Sequence, residues 1–198
     1  MVNIEKILNV GPYKKFLDLY SEALNRNQKY IEAVNVSSYS LVKNQVDSRY
    51  VNLKIVDKDK FIFFSNYESA KAIQFNEHSQ VAVSIFWDSI YSQIRMKGKI
   101  SKTSEKFNKI YFSQRDKEKN ALAISSSQSK KIDSYESVIK NYKKTLNEVN
   151  LDNCPDYWGG YAFQANYFEF WEGHESRINK REVFDKIDGI WKQSVLEP

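Results

Sequence analysis

Between residues 31 and 100 the chain sets out five strand-like segments in a row, with one short helical segment among them. Ile31–Leu41, Arg49–Val56, Phe61–Ser65, Val81–Trp87 and Gln93–Ile100 are rich in β-branched and aromatic residues, which suit a pleated, half-buried surface. KNQVDS (43–48) reads as one turn and Asp57-Lys58-Asp59-Lys60 as another. Ser69 is placed to cap a helix over Ala70–Asn76, and Gln93–Ile100 alternates so as to pair with the strand before it. Strands following one another with few helices between them predict an antiparallel barrel rather than a doubly wound parallel sheet. Around this core, Pro12–Arg26 has Phe16, Leu17, Tyr20 and Leu24 at helical spacing. Residues 104–150 hold three helical segments, broken near Asp116 and at the serine run Ser125–Ser129, and Pro155 ends them. Strands are expected again at Tyr161–Trp171, Glu182–Lys186 and Ile190–Gln193. The fold class is mainly β with α, in one domain spanning residues 1–198.

The stretch from Tyr157 to Arg181, YWGGYAFQANYFEFWEGHESRINKR, carries the most chemistry. Alternation along a strand puts Phe168 and Phe170 on one face and Tyr167, Glu169 and Trp171 on the other. Arg177 and Arg181 follow across a turn at Gly173. An aromatic surface beside guanidiniums suits a flat ligand that also carries an anionic group. An edge strand followed by a solvated basic loop meets the same spacing.

Bulk properties exclude several classes. One cysteine, Cys154, makes no internal disulfide, and with His78 and His174 it makes no zinc set, so no metal is expected. No apolar run reaches membrane-spanning length, and MVNIEKILNV is too mixed for a signal peptide, so a cytoplasmic protein with no membrane partner is expected. The net charge of +5 is interspersed, and acidic and serine residues interrupt the lysines of 97–119 and 130–144, so no nucleic-acid partner is expected. No G-x-G-x-x-G follows a strand and no P-loop occurs.

Read in order, SRYVNLK (48–54), FFSNYESAK (63–71), VSIFW (83–87), SQIRMKGK (92–99), YFSQR (111–115), SSQS (126–129) and YWGG…FEFWEG…SRINKR (157–181) resemble the pyridoxine/pyridoxamine 5′-phosphate oxidases. The resemblance runs from Gly11-Pro12 to Pro198. It implies an FMN-binding split β-barrel, a homodimer with FMN at the interface, and residues 157–198 as the dimerisation region. It further implies oxidation of pyridoxamine or pyridoxine 5′-phosphate to pyridoxal 5′-phosphate with O2. Hydride leaves C4′ for flavin N5, hydrogen peroxide is released, and the amine substrate also yields ammonia.

The resemblance carries roles to matching positions. Arg49, Ser65 and Lys71 hold the FMN phosphate, with Lys54 and Phe64 also at the cofactor. Gln93 bonds the flavin ring, and Gln128, Ser129, Trp171 and Arg181 reach it from the second subunit. Lys54, Tyr111, Arg115 and Lys119 surround the substrate phosphate. Tyr111 and Arg115 are four apart, as on one helix face. Arg177 and Asn179 act on the substrate ring as the catalytic pair. Ordinary surface charge for Arg49 and Lys71, and a core role for Trp171, remain the alternatives on each residue alone.

The chain departs from the family pattern in four places. Ala70 stands where an arginine commonly helps hold the FMN phosphate, and Lys119 where a serine is usual. Asn179 replaces the histidine of the arginine–x–histidine motif and cannot take up a proton near neutral pH. The family's N-terminal segment, which helps close the site, is short or missing. These departures leave open an oxidase acting on another ring, of the phenazine-pathway type, or a flavin- or pyridoxal-phosphate-binding protein with little turnover.

Overall fold

The computed structural model describes residues 1–198. Inward valines alternate with half-exposed polar groups along Ala33–Ser40 (β2), and that alternation seats the strand over a core. β2 pairs antiparallel with Gln45–Asn52 (β3) on one side and Gln80–Trp87 (β6) on the other. With Asn3–Ile7 (β1), Ile55–Lys58 (β4), Lys60–Asn66 (β5), Ser92–Lys102 (β7) and Trp158–Glu172 (β8), these strands form one sheet in the order β1-β4-β5-β8-β7-β6-β2-β3. Every pairing is antiparallel except β1 with β4. Lys180–Ile187 (β9) and Ile190–Leu196 (β10) form a hairpin that joins through β8.

β8 is where the barrel splits. Its first half pairs with β5, from Trp158 opposite Asn66 to Gln164 opposite Lys60. Its second half pairs with β9, from Tyr167 opposite Asp185 to Glu172 opposite Lys180. Between the halves a bulge at Asn166 shifts the β7 register from Gly98↔Ala165 to Lys97↔Tyr167. Gly98 is required there, since a Cβ would collide with the Gln164 carbonyl. The bulge reverses the alternation: Tyr161, Phe163 and Ala165 point inward before it, Phe168 and Phe170 after it. One unbroken alternation from Tyr161 to Trp171 therefore fails at Asn166, although the faces expected for 167–171 are correct.

Gly11–Asn25 (α1) lays Tyr13, Phe16, Tyr20 and Ala23 into the core. The Phe16 ring is fully buried, edge-on to Phe61 at 5.1 Å and tilted against Trp87 at 5.9 Å. Burial of such a ring stabilises the fold by about 1.5–3 kcal/mol. Ala70–Glu77 (α2) covers the β2 side, and Glu105–Ser113 (α3), Lys117–Ser125 (α4) and Tyr135–Glu148 (α5) follow β7. No helix is long and apolar enough to cross a membrane.

The expected elements are present, with three differences. β1 was not anticipated; its short mixed sequence carries no strand signal until β4 offers it an edge. The second expected strand begins earlier, at Gln45, and breaks at Leu53–Lys54 into β3 and β4. Ser69 holds the N-cap position of α2 as expected, but its side chain makes no cap bond: the hydroxyl donates to the Asn66 carbonyl and accepts from Lys71 Nζ.

Candidate functional site

The break between β3 and β4 opens a cavity of about 380 Å³. β3 and its break bring Tyr50, Val51, Asn52 and Lys54, and the end of β5 brings Phe64 and Ser65. Lys71 comes from the first turn of α2, Tyr111 from the last turn of α3, and Lys119 from α4. Arg115 lies just past α3, in the corner before α4, rather than sharing a helix face with Tyr111, yet both reach the cavity. Gln128 and Trp158 complete the wall. Four cations (Lys54, Lys71, Arg115, Lys119) line this space and no carboxylate does.

Of these four, Lys71 and Arg115 are held by neutral groups, while Lys119 is paired with Asp116 at 2.5 Å. Lys71 is buried and donates to Ser65 Oγ at 3.0 Å and Ser69 Oγ at 3.2 Å. Burial, then the neighbouring Arg49 charge, brings its pKa down to about 8. Arg49, which does not itself line the cavity, donates to Ser38 Oγ (2.6 Å), the Val36 carbonyl (3.2 Å) and Gln74 Oε1 (2.9 Å). Asp47 stands off at 3.8 Å, and burial outweighs it in lowering the Arg49 pKa. The Gln128 amide oxygen accepts from Ser65 Oγ at 3.1 Å and from the Asn66 backbone N–H at 3.2 Å. That oxygen sits where a hydroxyl and a backbone N–H converge next to the buried Lys71 ammonium, a donor set that suits a phosphate. The residues present therefore fit the phosphate end of FMN.

Beside the cations lies an aromatic stack. The Phe64 ring is parallel to Tyr111 at 3.7 Å and to Trp158 at 5.1 Å. The Arg115 guanidinium lies 4.6 Å from the Trp158 ring. Burial lowers the Arg115 pKa and raises that of Tyr111.

The remaining candidates form a second group on the outer sheet face. Gln93, Trp171 and Arg181 are direct register partners across β7, β8 and β9, so they share one face. Arg181 is bound to Glu169 at 2.9 Å, Arg95 reaches the same carboxylate at 2.7 Å, and Tyr167 donates to it at 3.0 Å. Glu169 itself is buried. Arg177 (φ 61°) and Asn179 lie in the β8–β9 loop, where Asn179 Oδ1 accepts from the His174 N–H at 3.0 Å. None of these five lines the cavity of its own chain. Gln128, expected to reach a second chain, bonds Ser65 of its own, and Ser129 is exposed in a left-handed conformation.

Residues 21–145 match the family model described as pyridoxamine 5′-phosphate oxidase, and residues 158–198 match that of the pyridoxine 5′-phosphate oxidase C-terminal dimerisation region. The pyridoxine/pyridoxamine 5′-phosphate oxidase 1 of Hydrogenovibrio crunogenus is 32% identical over 196 residues, covering 96% of this chain and 90% of the relative. That of Rhodopirellula baltica is 34% identical over 195 residues, covering 94% and 87%. The chain belongs to the pyridoxine/pyridoxamine 5′-phosphate oxidase family. Its fold is also that of PhzG from Burkholderia lata, solved with tetrahydrophenazine-1-carboxylic acid, at a TM-score of 0.89, 20% identity and coverage of 94% and 92%. A pyridoxamine 5′-phosphate oxidase-related, FMN-binding protein from Nostoc punctiforme superposes at 0.79 with 11% identity, covering 96% and 99%. Both neighbours share the FMN-binding split β-barrel.

The two family matches divide the candidates as the geometry does, except that Gln93 on the sheet face falls in the first match and Trp158 at the cavity in the second. Every cavity residue except Trp158 falls in the first match, and Trp171, Arg177, Asn179 and Arg181 fall in the second. Sequence reasoning overlooked Trp158, Gln74 and Asn120, which hold or face the cavity cations. Trp158 stood in a quoted block, YWGG, with no role attached. Gln74 and Asn120 gave no signal, because a helix-borne amide gains meaning only from what folds against it.

Proposed function

We propose that the protein is an FMN-dependent oxidase converting pyridoxamine 5′-phosphate or pyridoxine 5′-phosphate to pyridoxal 5′-phosphate with O2 and releasing H2O2. The observation that carries this reading is the cavity lined by four cations and no carboxylate. Two phosphate dianions, one from FMN and one from substrate, match that charge; a ring without a phosphate would leave part of it unanswered.

In this reading Arg49, Ser65 and Lys71 bind the FMN phosphate, with Lys54 and Phe64 at the edge of the cofactor. Lys54, Tyr111, Arg115 and Lys119 bind the substrate phosphate, and the phosphate fixes where the pyridine ring lies. FMN held there would supply two-electron redox chemistry between the substrate and dioxygen. Gln93, Gln128, Ser129, Trp171 and Arg181 contact the flavin, and Arg177 and Asn179 orient the ring. Asn179 hydrogen-bonds without changing charge, so orientation is its whole contribution. The site is shared within a homodimer, Trp171 and Arg181 reaching the flavin from the second subunit, in keeping with their not lining their own chain's cavity. The match of residues 158–198 to a dimerisation region supports that arrangement.

The test is anaerobic mixing of FMN-loaded protein with pyridoxamine 5′-phosphate. The expected result is bleaching of the flavin, reversed by air, with pyridoxal 5′-phosphate formed. A flavin that stays bound and oxidised would overturn the reading. A second reading, an oxidase of another ring, draws on Asn179: it stands in place of histidine and is tied to the His174 backbone. Bleaching by an unphosphorylated ring compound alone would favour it.

A further inference from the structure

Asn120 is completely buried in α4, and both its amide nitrogen and its amide oxygen are engaged. Its Nδ2 donates to two backbone carbonyls, Phe112 and Leu151, each at 2.9 Å. Those carbonyls fix which way the amide points, so Oδ1 must face the remaining neighbour. That neighbour is Arg115, whose Nη1 donates to Asn120 Oδ1 at 3.0 Å. The opposite constraint on Arg115 comes from the Trp158 ring at 4.6 Å. The guanidinium is thus held in place without meeting a carboxylate. Asp116, the nearest acid in sequence, is bound to Lys119 at 2.5 Å.

We propose that Asn120 is a positioning residue for Arg115: its neutral acceptor fixes the guanidinium's orientation and leaves its charge for the phosphate of the substrate. The inference rests on the reading of Arg115 as a phosphate contact. A carboxylate at this place would orient the guanidinium as well, but would neutralise it and turn an oxygen toward two carbonyls. A hydroxyl is too short to span both partners. Among uncharged side chains an amide meets both demands, donating twice on one side and accepting on the other.

A purely structural role, tying the end of α3 to the loop at Leu151, would affect every ligand alike. The experiment therefore compares pyridoxal 5′-phosphate with pyridoxal, each titrated into FMN-loaded protein to obtain Kd. Four proteins are used: wild type, Arg115→Ala, Asn120→Ala and the double variant. Arg115→Ala should weaken pyridoxal 5′-phosphate by about thirtyfold, as expected for loss of a charge-assisted pair, and pyridoxal hardly at all. Asn120→Ala should weaken the phosphorylated ligand by about tenfold and pyridoxal by less than about twofold. The double variant should be no weaker than Arg115→Ala alone, since the amide then has nothing to position. Equal weakening of both ligands by Asn120→Ala, or losses that multiply in the double variant, would overturn the proposal. An unchanged Kd in Arg115→Ala would instead overturn the reading of Arg115 itself. Should the alanine variant fail to fold, Asn120→Ser, which keeps a small polar group in the niche, carries the same cycle and the same outcomes.

Discussion

The cavity and the outer sheet face both gather basic side chains, yet they treat the charge in opposite ways. At the cavity, Lys71 and Arg115 rest on hydroxyls and an amide, and Arg49 beside it on a hydroxyl, an amide and a carbonyl with Asp47 farther off at 3.8 Å; of the cations here only Lys119 is bound closely to a carboxylate. On the face of β7–β9, Arg95 and Arg181 converge on the single buried carboxylate of Glu169. Neutral partners orient a cation and leave its field intact, whereas a carboxylate cancels most of it. The first arrangement is built to receive an anion. The second cross-links strands and fixes a guanidinium edge beside Trp171. Charge counted along the sequence does not separate these uses; the partner of each cation does.

The largest contrast is expected from Glu169→Gln. Removing the carboxylate leaves two guanidiniums facing one another, so stability should fall by about 3 kcal/mol, the lower end of the range for breaking a buried pair because Arg95 and Arg181 keep some solvent. Urea unfolding measures it, and a loss below the error of the melt would show that the sheet-face cations do not depend on Glu169. The next effect is a pH dependence at Lys71. Its pKa of about 8 means that the unliganded cavity is losing this charge above that pH. FMN affinity should be flat below pH 8 and weaken toward pH 10 by up to about tenfold per unit, since binding the phosphate requires the proton back. Lys71→Arg should abolish the bend. The sign for folding is opposite: the unfolded chain holds this proton more tightly, so Lys71's contribution to ligand-free stability rises from about pH 8 toward the ordinary lysine value of 10.5.

Gln74→Glu makes Arg49 resemble a sheet-face cation, setting a carboxylate against it in place of an amide that also donates to Asp47. FMN should bind about tenfold more weakly while the fold is kept; undiminished affinity in an equilibrium titration would mean that neutral partners are not what the cavity needs. The smallest effect is expected at Lys119, which is exposed and already shared with Asp116. Lys119→Ser should raise KM for a phosphorylated substrate no more than about threefold, and a larger rise in steady-state assays would give this lysine a deeper role.

Much of this was legible in the sequence where the signal is local. Strand order from Ile31 to Ile100, the three helical segments after Ser104, and the inward pair Phe168 and Phe170 follow from periodicity and turn residues. The quoted blocks also name most of the cavity wall. What escaped depends on pairing across the fold. The bulge at Asn166 exists because β8 must serve β5 with one half and β9 with the other. Glu169 was assigned to the face of Trp171, but its burial depends on Arg95 from β7 and Arg181 from β9. Asn120 is one amide among many until Phe112, Leu151 and Arg115 close around it.

The most direct test of the contrast is the affinity of the ligand-free protein for FMN against riboflavin, which differ by the phosphate alone. Isothermal titration at low and high salt would give both constants. Cations held unneutralised for a phosphate predict FMN binding tighter by about a hundredfold, with the gap narrowing as salt rises and collapsing in Arg49→Ala. Equal affinities for the two flavins, at either salt, would contradict the account.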